Sequence, residues 1–250
     1  ALMMSVLSRP DRRDGMSLPA LEVNWKALEK SPRKLRIGLM LDAGSGQKVE
    51  KDVREIAVKA AKAFESAGAV ITEIDGILTP EMLEGLDNFW RARTWDELSK
   101  LSEADRGKTL PYILNWAEAG AKLSGVDVVR GFNQTMAIRA AAAKLFCEVD
   151  YVISPVSPVV NFPAEFASPL NDPAKPFEHI CFTVPWNMSE NPALSINGGY
   201  DKKGFPIGVQ IIGRRFDDIG VLGMGKAFEG LRGPQKRSEE HTSELQSPVH

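Results

Sequence analysis

The sequence predicts an α/β fold, and three observations carry the prediction. "KLRIGLMLD", Lys34 to Asp42, is a short and almost wholly apolar run, as in a strand buried on both faces. Val49, Val53, Ile56, Ala57, Ala60, Ala61 and Phe64 then recur every three or four residues, which gathers them on one stripe of a helix. "AVITEID", Ala69 to Asp75, reads as a second strand, so strand, helix and strand make a βαβ unit with a right-handed crossover.

The remaining elements follow in order. "AGSGQK" is the turn between the first strand and its helix, and Gly68 falls where a helix C-cap is expected. Thr79 and Pro80 fit the N-cap and first helical position of a helix running toward Leu101. "LPYILNWAEAGAKL" is another helix, ending near Gly125, and Val126 to Glu148 is a long one rich in Ala and Arg. "DYVISPVSPVV", Asp150 to Val160, is a strand running into a loop, where Pro155 and Pro158 are expected to stop sheet pairing. Residues 161–178 are Pro-rich and irregular, as in a surface or pocket-rim loop. "PALSING" and "FPIGVQIIG" flank the turn "GYDKKG", a hairpin signal, so Pro185–Asp218 reads as a strand-turn-strand wall. "DDIGVLGMGKAFEGL" closes the pattern as a helix, with Asp217 or Asp218 near its N-terminus. No internal repeat is visible.

Composition excludes several function classes. With 43% apolar residues the 250-residue chain can bury a real core, as one large domain or two small ones. A net charge of −2 and the lack of any Lys/Arg-rich run argue against nucleic-acid binding. No apolar run approaches the roughly 18–20 residues of a membrane span. Cys147 and Cys181 sit in apolar contexts, "KLFCEVD" and "HICFTVP", and read as buried reduced thiols of a cytoplasmic protein rather than a disulfide. The first residues, "ALMMSVLSRPDRRD", look amphipathic, as if cut inside a helix, and lack a signal-peptide pattern. Arg237 to Ser247 resemble the translation of a sequencing-library adapter. On that reading His241 and His250 carry no function, and both ends suggest an incomplete gene product.

No chemical motif stands out. The G-x-S-x-G elbow of serine hydrolases is absent, and "DAGSGQK" misses the Walker pattern. That stretch, Asp42 to Lys48, lies between a strand and a helix, so an anionic ligand is conceivable there, although a plain turn is the simpler reading. A lone His179 beside Cys181 is more often packing than a metal ligand. Asp150 is either catalytic or, more commonly at such a position, a cap of the helix-to-strand turn. The Asp217/Asp218 pair is more often a helix start than an acid/base pair. Trp186 suits a pocket wall and a core aromatic equally.

Pro185–Asp218 resembles the C-terminal part of the amidase signature family. "DYVISPVSPVV", "FTVPWNMSENPALSINGGY", "GFPIGVQIIGRRFDD" and a closing helix follow one another as in those enzymes. "LRIGLML", its helix and "AGAVITEID" are similar to the family's segments further upstream, so the resemblance covers roughly residues 1–230. It implies an α/β/α fold with a mixed sheet flanked by helices. It also implies hydrolysis of a carboxamide by a Ser nucleophile, activated through a second Ser, held by a cis peptide, and a Lys. A base must take the serine proton, and clustered backbone N–H groups stabilise the oxyanion. The Gly/Ser-rich segment and its Lys find no counterpart here, so no catalytic residue is carried over. The family resemblance makes residues 1–236 the C-terminal portion of a single amidase domain, and the adapter-like sequence makes 237–250 a non-native tail.

What the resemblance leaves is part of the pocket wall. Ser154, Pro155, Trp186 and Asn187 lie on segments similar to the family's pocket-bordering loops. No cofactor and no metal are implied. The expected partner is a small-molecule amide substrate in the complete enzyme, with neither nucleic acid nor membrane, and a homodimer is left open. The tRNA-dependent amidotransferase A subunits resemble the same region. They tend to carry an acid where this chain has Ile180 and Gly where it has Glu190, which favours a stand-alone amidase. A non-catalytic binding module using Asp42–Lys48 is the third reading.

Overall fold

The run after Lys34 forms strand β1, Arg36–Met40, buried along all but its first residue, in the computed structural model, which describes residues 1–235. A one-turn helix, α1 (Met4–Leu7), precedes it. The predicted helix is α2 (Lys51–Ser66), whose stripe buries Val53, Ala57, Ala60, Ala61 and Phe64. Gly68, at φ +93°, turns the chain out of it into β2 (Val70–Ile74), parallel to β1. The tail at 237–250, with His241 and His250, lies outside the described residues.

Four helices follow before the next strand. Thr79 caps α3 (Pro80–Ser99) by accepting from the Met82 N–H, with Pro80 in the first turn as expected. A short helix absent from the sequence reading, α4 (Glu103–Arg106), follows, capped by Ser102. The next predicted helix is α5 (Pro111–Glu118), ending in a 3-10 turn. The long one is α6 (Gly125–Glu148), started by a capping box between Ser124 and Asp127.

Strand β3 (Tyr151–Pro155) is buried at every residue and lies parallel to β1. Pro155 does not interrupt pairing: it is the last paired residue, opposite Val209. A proline at a strand's end forfeits only its own N–H. The hairpin is β4 (Ala193–Tyr200) and β5 (Pro206–Gly213), with β5 antiparallel to both β3 and β4. In its turn the Asp201 carboxylate accepts from the N–H groups of Lys203 and Phe205. The reading of Pro185–Asp218 as strand-turn-strand needs a correction, because its first residues belong to helix α7 (Val184–Ser189). Pro185 supplies the fixed φ of a first turn, and Glu190 ends the helix in the left-handed region at φ 59°. The last helix is α8 (Asp218–Leu231), capped by the Asp217 carboxylate on the Gly220 N–H.

The sheet order is β2-β1-β3-β5-β4. It is mixed and flanked by helices on both faces, as an α/β/α fold requires. Alternation along the strands divides the core in two. Ile37, Leu39, Tyr151, Ile153, Val209 and Ile211 meet α2 and α8, where Phe64 and Phe228 stack at 5.5 Å. Met40, Val152 and Ile212 meet Leu86 of α3, Ile138 and Phe146 of α6, and Trp186 of α7. Each fully buried side chain of this size stabilises the fold by about 1.5–3 kcal/mol, so both layers are needed to hold the sheet.

One cysteine departs from expectation. Cys181 is buried, but Cys147 is exposed. It follows Phe146, which packs on the sheet, and the 100° step of a helix turns the next residue away from the core. Among the described residues no helix is long and apolar enough to cross a membrane.

Candidate functional site

Parallel strands β1 and β3 end on the same side of the sheet, the side on which open α/β sheets bind ligands. Their exits are the Asp42–Lys48 turn and the loop at 156–160. Hydrogen bonds to the backbone knit these exits together. The Gln47 N–H donates to the Glu178 carbonyl at 2.9 Å, and the Glu50 N–H donates to that of Pro158 at 2.8 Å. The Glu50 carboxylate in turn accepts from the Val160 N–H at 3.1 Å. Gly46 lies so close to the 178–181 turn that an added Cβ would stand 2.4 Å from Cys181 Cβ.

Beneath these loops is a buried polar network. Gln210 of β5 is 4% exposed and Ser154 of β3 fully buried, and the two are paired across the sheet. The Gln210 amide donates to Ser154 Oγ at 3.2 Å and to the Phe182 carbonyl at 2.8 Å. Ser154 Oγ donates onward to the Pro155 carbonyl at 2.8 Å. Gln210 therefore fixes the end of β3 against the segment that starts α7. The sequence reading missed it; the signal was one amide inside the apolar run "GVQIIG".

The other polar candidates resolve into structural roles. Asp150 accepts from the Arg36 N–H and from the guanidinium groups of Arg36, at 2.9 Å, and Arg214, at 3.1 Å. The Arg36 hydrogen bond, above all, holds its carboxyl below the usual range. It thus clamps the amino ends of β1 and β3 to the end of β5, away from the loops above. Asp217 is spent on the α8 cap and on the Tyr151 hydroxyl at 2.5 Å. Burial pushes the Cys181 thiol up to about 12 and lowers the pKa of His179. Cys181 is also buried in the core, and a Cys–His nucleophile needs the opposite shifts and an accessible thiol, so packing is the reading that fits this pair. Among the described residues no group of three or more His, Cys, Asp or Glu is placed to hold a metal.

The Asp42–Lys48 turn does border a cavity of about 420 Å³, together with Arg54. Gly44 and Gly46 adopt φ +89° and +118°, and the Asp42 carboxylate accepts from the Gly44 N–H at 2.7 Å. The turn is thus a formed structure whose own carboxylate already takes one of its N–H groups.

Residues 1–222 match the family model described as Amidase. The chain belongs to the amidase signature family. An acylamidase from Rhodococcus erythropolis is 29% identical over 244 residues, covering 93% of this chain and 50% of that protein. The A subunit of the glutamyl-tRNA(Gln) amidotransferase from Lachnospira eligens is 25% identical over 258 residues, covering 93% and 53%. A bacterial aryl acylamidase structure of the same family superposes with a TM-score of 0.76 at 23% identity, over 88% of this chain and 48% of that one. The corresponding amidotransferase chain from Thermotoga maritima gives 0.69 at 21%, over 92% and 49%. These structures show the shared fold. The chain spans about half the length of the curated relatives it matches.

In this amidase signature fold the four expected wall residues occupy two neighbouring places. Ser154 and Pro155 are buried at the carboxyl end of β3. Trp186 is 1% exposed on α7 and meets the edge of Phe146 at 6.1 Å, while the next residue, Asn187, is exposed. Trp186 Nε1 is buried with no hydrogen-bond partner among the described residues. Gln210 links the two places through Phe182. Ile180 lies in the turn before α7, and Glu190 ends that helix between Arg139 and Arg215, pairing with both.

Proposed function

We propose that this chain is the scaffold and pocket-wall portion of an amidase that hydrolyses a carboxamide C–N bond to a carboxylate and ammonia or an amine. The observation that carries the reading is the Gln210–Ser154–Phe182 network within the family-matched region. It holds the carboxyl end of β3 against the segment that starts α7 in one arrangement, which is what a pocket wall must supply. Ser154, Pro155, Trp186 and Asn187 form that wall, and a small-molecule amide is the partner. The nucleophile and its base lie outside these 250 residues. The two free thiols fit a cytoplasmic setting.

The A subunit of a tRNA-dependent amidotransferase is the second reading, favoured by the relatives that carry that name. Ile180 and Glu190 weigh against it. Ile180 stands where those subunits tend to carry an acid, and Glu190 occupies a left-handed helix end where they tend to have glycine.

Assay of 4-nitroacetanilide and simple aliphatic amides tests this function. The 250-residue chain is expected to show no turnover, since loss of nucleophile and base costs roughly 10⁶-fold in kcat. The protein expressed with the coding sequence upstream of Ala1 is expected to release amine or ammonia. Turnover by the 250-residue chain alone would overturn the division of labour. An inactive extended protein that lacks a Lys and a Gly/Ser-rich segment would overturn the amidase reading.

A further inference from the structure

At the end of the sheet away from Ser154, one face of α6 borders a large cavity of about 770 Å³. Arg139, Ala143, Phe146 and Cys147 form that wall, and Arg214 and Arg215, following β5, form the opposite one. Arg139, Ala143 and Cys147 recur at four-residue steps on one helix face, and the buried Phe146 borders it from the core side.

The charged side chains that line this cavity are all basic: Arg139, Arg214 and Arg215, with no carboxylate among the lining residues. Asp150 is shared by Arg36 and Arg214, and Glu190 by Arg139 and Arg215. The three lining arginines are roughly half exposed, so their guanidinium groups remain open to a further anion. The Glu190 pairing shows that guanidinium groups from α6 and from the end of β5 converge on a carboxylate here. The planar fork of arginine matches such a head group. Beside the guanidinium groups, Ala143 and Phe146 supply an apolar wall.

We infer that this cavity binds a small amphipathic carboxylate, its head group on Arg214 and Arg215 and its hydrocarbon part against Ala143 and Phe146. The site contains none of the four wall residues of the proposed amidase pocket, although its Phe146 touches Trp186, and it does not depend on amide hydrolysis. Because the arginines are partly solvated, binding weakens as salt rises.

Cys147 is exposed at this cavity, whereas Cys181, the other thiol of the chain, is buried. The rate at which a neutral dipyridyl disulfide modifies Cys147 therefore reports occupancy. In that reaction the Cys147 thiolate attacks the reagent's S–S bond, a mixed disulfide forms and a pyridine thiolate leaves. We expect octanoate to slow the modification severalfold and octanol, with the same chain and no charge, to leave it unchanged. Arg214→Gln should raise the octanoate concentration needed for protection by about tenfold, the cost of one charged hydrogen bond. Ala143→Phe, which keeps every charge and alters an exposed position, should abolish protection. Near-UV circular dichroism confirms that each variant is folded. Equal protection by octanol, no protection by octanoate, or unchanged protection in Ala143→Phe would each overturn the site.

Discussion

The Tyr151 hydroxyl of β3 donates a 2.5 Å hydrogen bond to the Asp217 carboxylate, whose other oxygen caps α8 at Gly220. Residues 66 positions apart thus join the sheet to the start of its last helix. Burial, followed by that bond to Asp217, raises the tyrosine pKa above its ordinary value. Tyr151→Phe is expected to lower stability by about 1.5–3 kcal/mol, the range for hydrogen bonds to charged groups, measured by urea unfolding. Gly220→Ala should do at least as much damage. Its Cβ would stand 2.2 Å from one Asp217 oxygen and 2.3 Å from the Tyr151 hydroxyl. Variants as stable as the parent would show that this junction is dispensable.

Gln210→Leu should cost about 1–3 kcal/mol, because it leaves the buried Phe182 carbonyl without its amide donor. Ser154→Ala should cost less: Ser154 Oγ gives a hydrogen to the Pro155 carbonyl and takes one from Gln210, whose amide keeps its bond to Phe182. Chemical unfolding of both variants orders the two losses. The reverse order would mean that Ser154, not Gln210, anchors the end of β3.

Glu190 sets two effects against each other. Its left-handed backbone costs an L-residue roughly 1–2 kcal/mol. Its ion pairs to Arg139 and Arg215, each about 40–50% exposed, return at most about 1 kcal/mol apiece. Glu190→Gly loses the pairs and relieves the backbone, whereas Glu190→Ala loses the pairs and keeps the strain. The glycine variant should be the more stable of the two by about 1 kcal/mol, and its melting temperature should depend less on salt than the parent's. Alanine matching glycine would contradict the assigned backbone.

Stability should fall on acidification in two stages. Asp150 has its pKa lowered by Arg36, so the folded state binds its proton less readily than the unfolded chain. Its contribution is complete above the ordinary carboxylate range near pH 4 and is lost as pH drops through the lowered value. His179 has its pKa lowered by burial, so the unfolded chain takes up its proton first, below about pH 6.5. His179→Gln should flatten the decline in stability that begins below about pH 6.5, and Asp150→Asn the limb below about pH 4. Unfolding curves at each pH check both windows, and an unchanged profile in either variant would remove that group as a cause.

The amino-acid order alone specified what is local. The α2 stripe, the Gly68 turn, the Thr79–Pro80 helix start and the β4–β5 hairpin all rest on side-chain periodicity or on caps within four residues. Such signals survive without tertiary context. Helix α7 escaped because six residues carry too short a period, and its proline and asparagine resemble loop composition. Cys147 was misplaced because apolar neighbours in sequence do not reveal which way a helix turns its next residue. The four proposed wall residues rest on family resemblance alone, since no spacing rule connects Ser154 with Trp186. Gln210 bridging Ser154 and Phe182, Asp150 between two arginines, and the guanidinium-lined cavity all join residues dozens of positions apart. Only the packing of both helix layers on one mixed sheet brings those groups within hydrogen-bonding distance. The physical reason is that hydrogen bonds and ion pairs act over a few ångströms of space, whatever the separation along the chain.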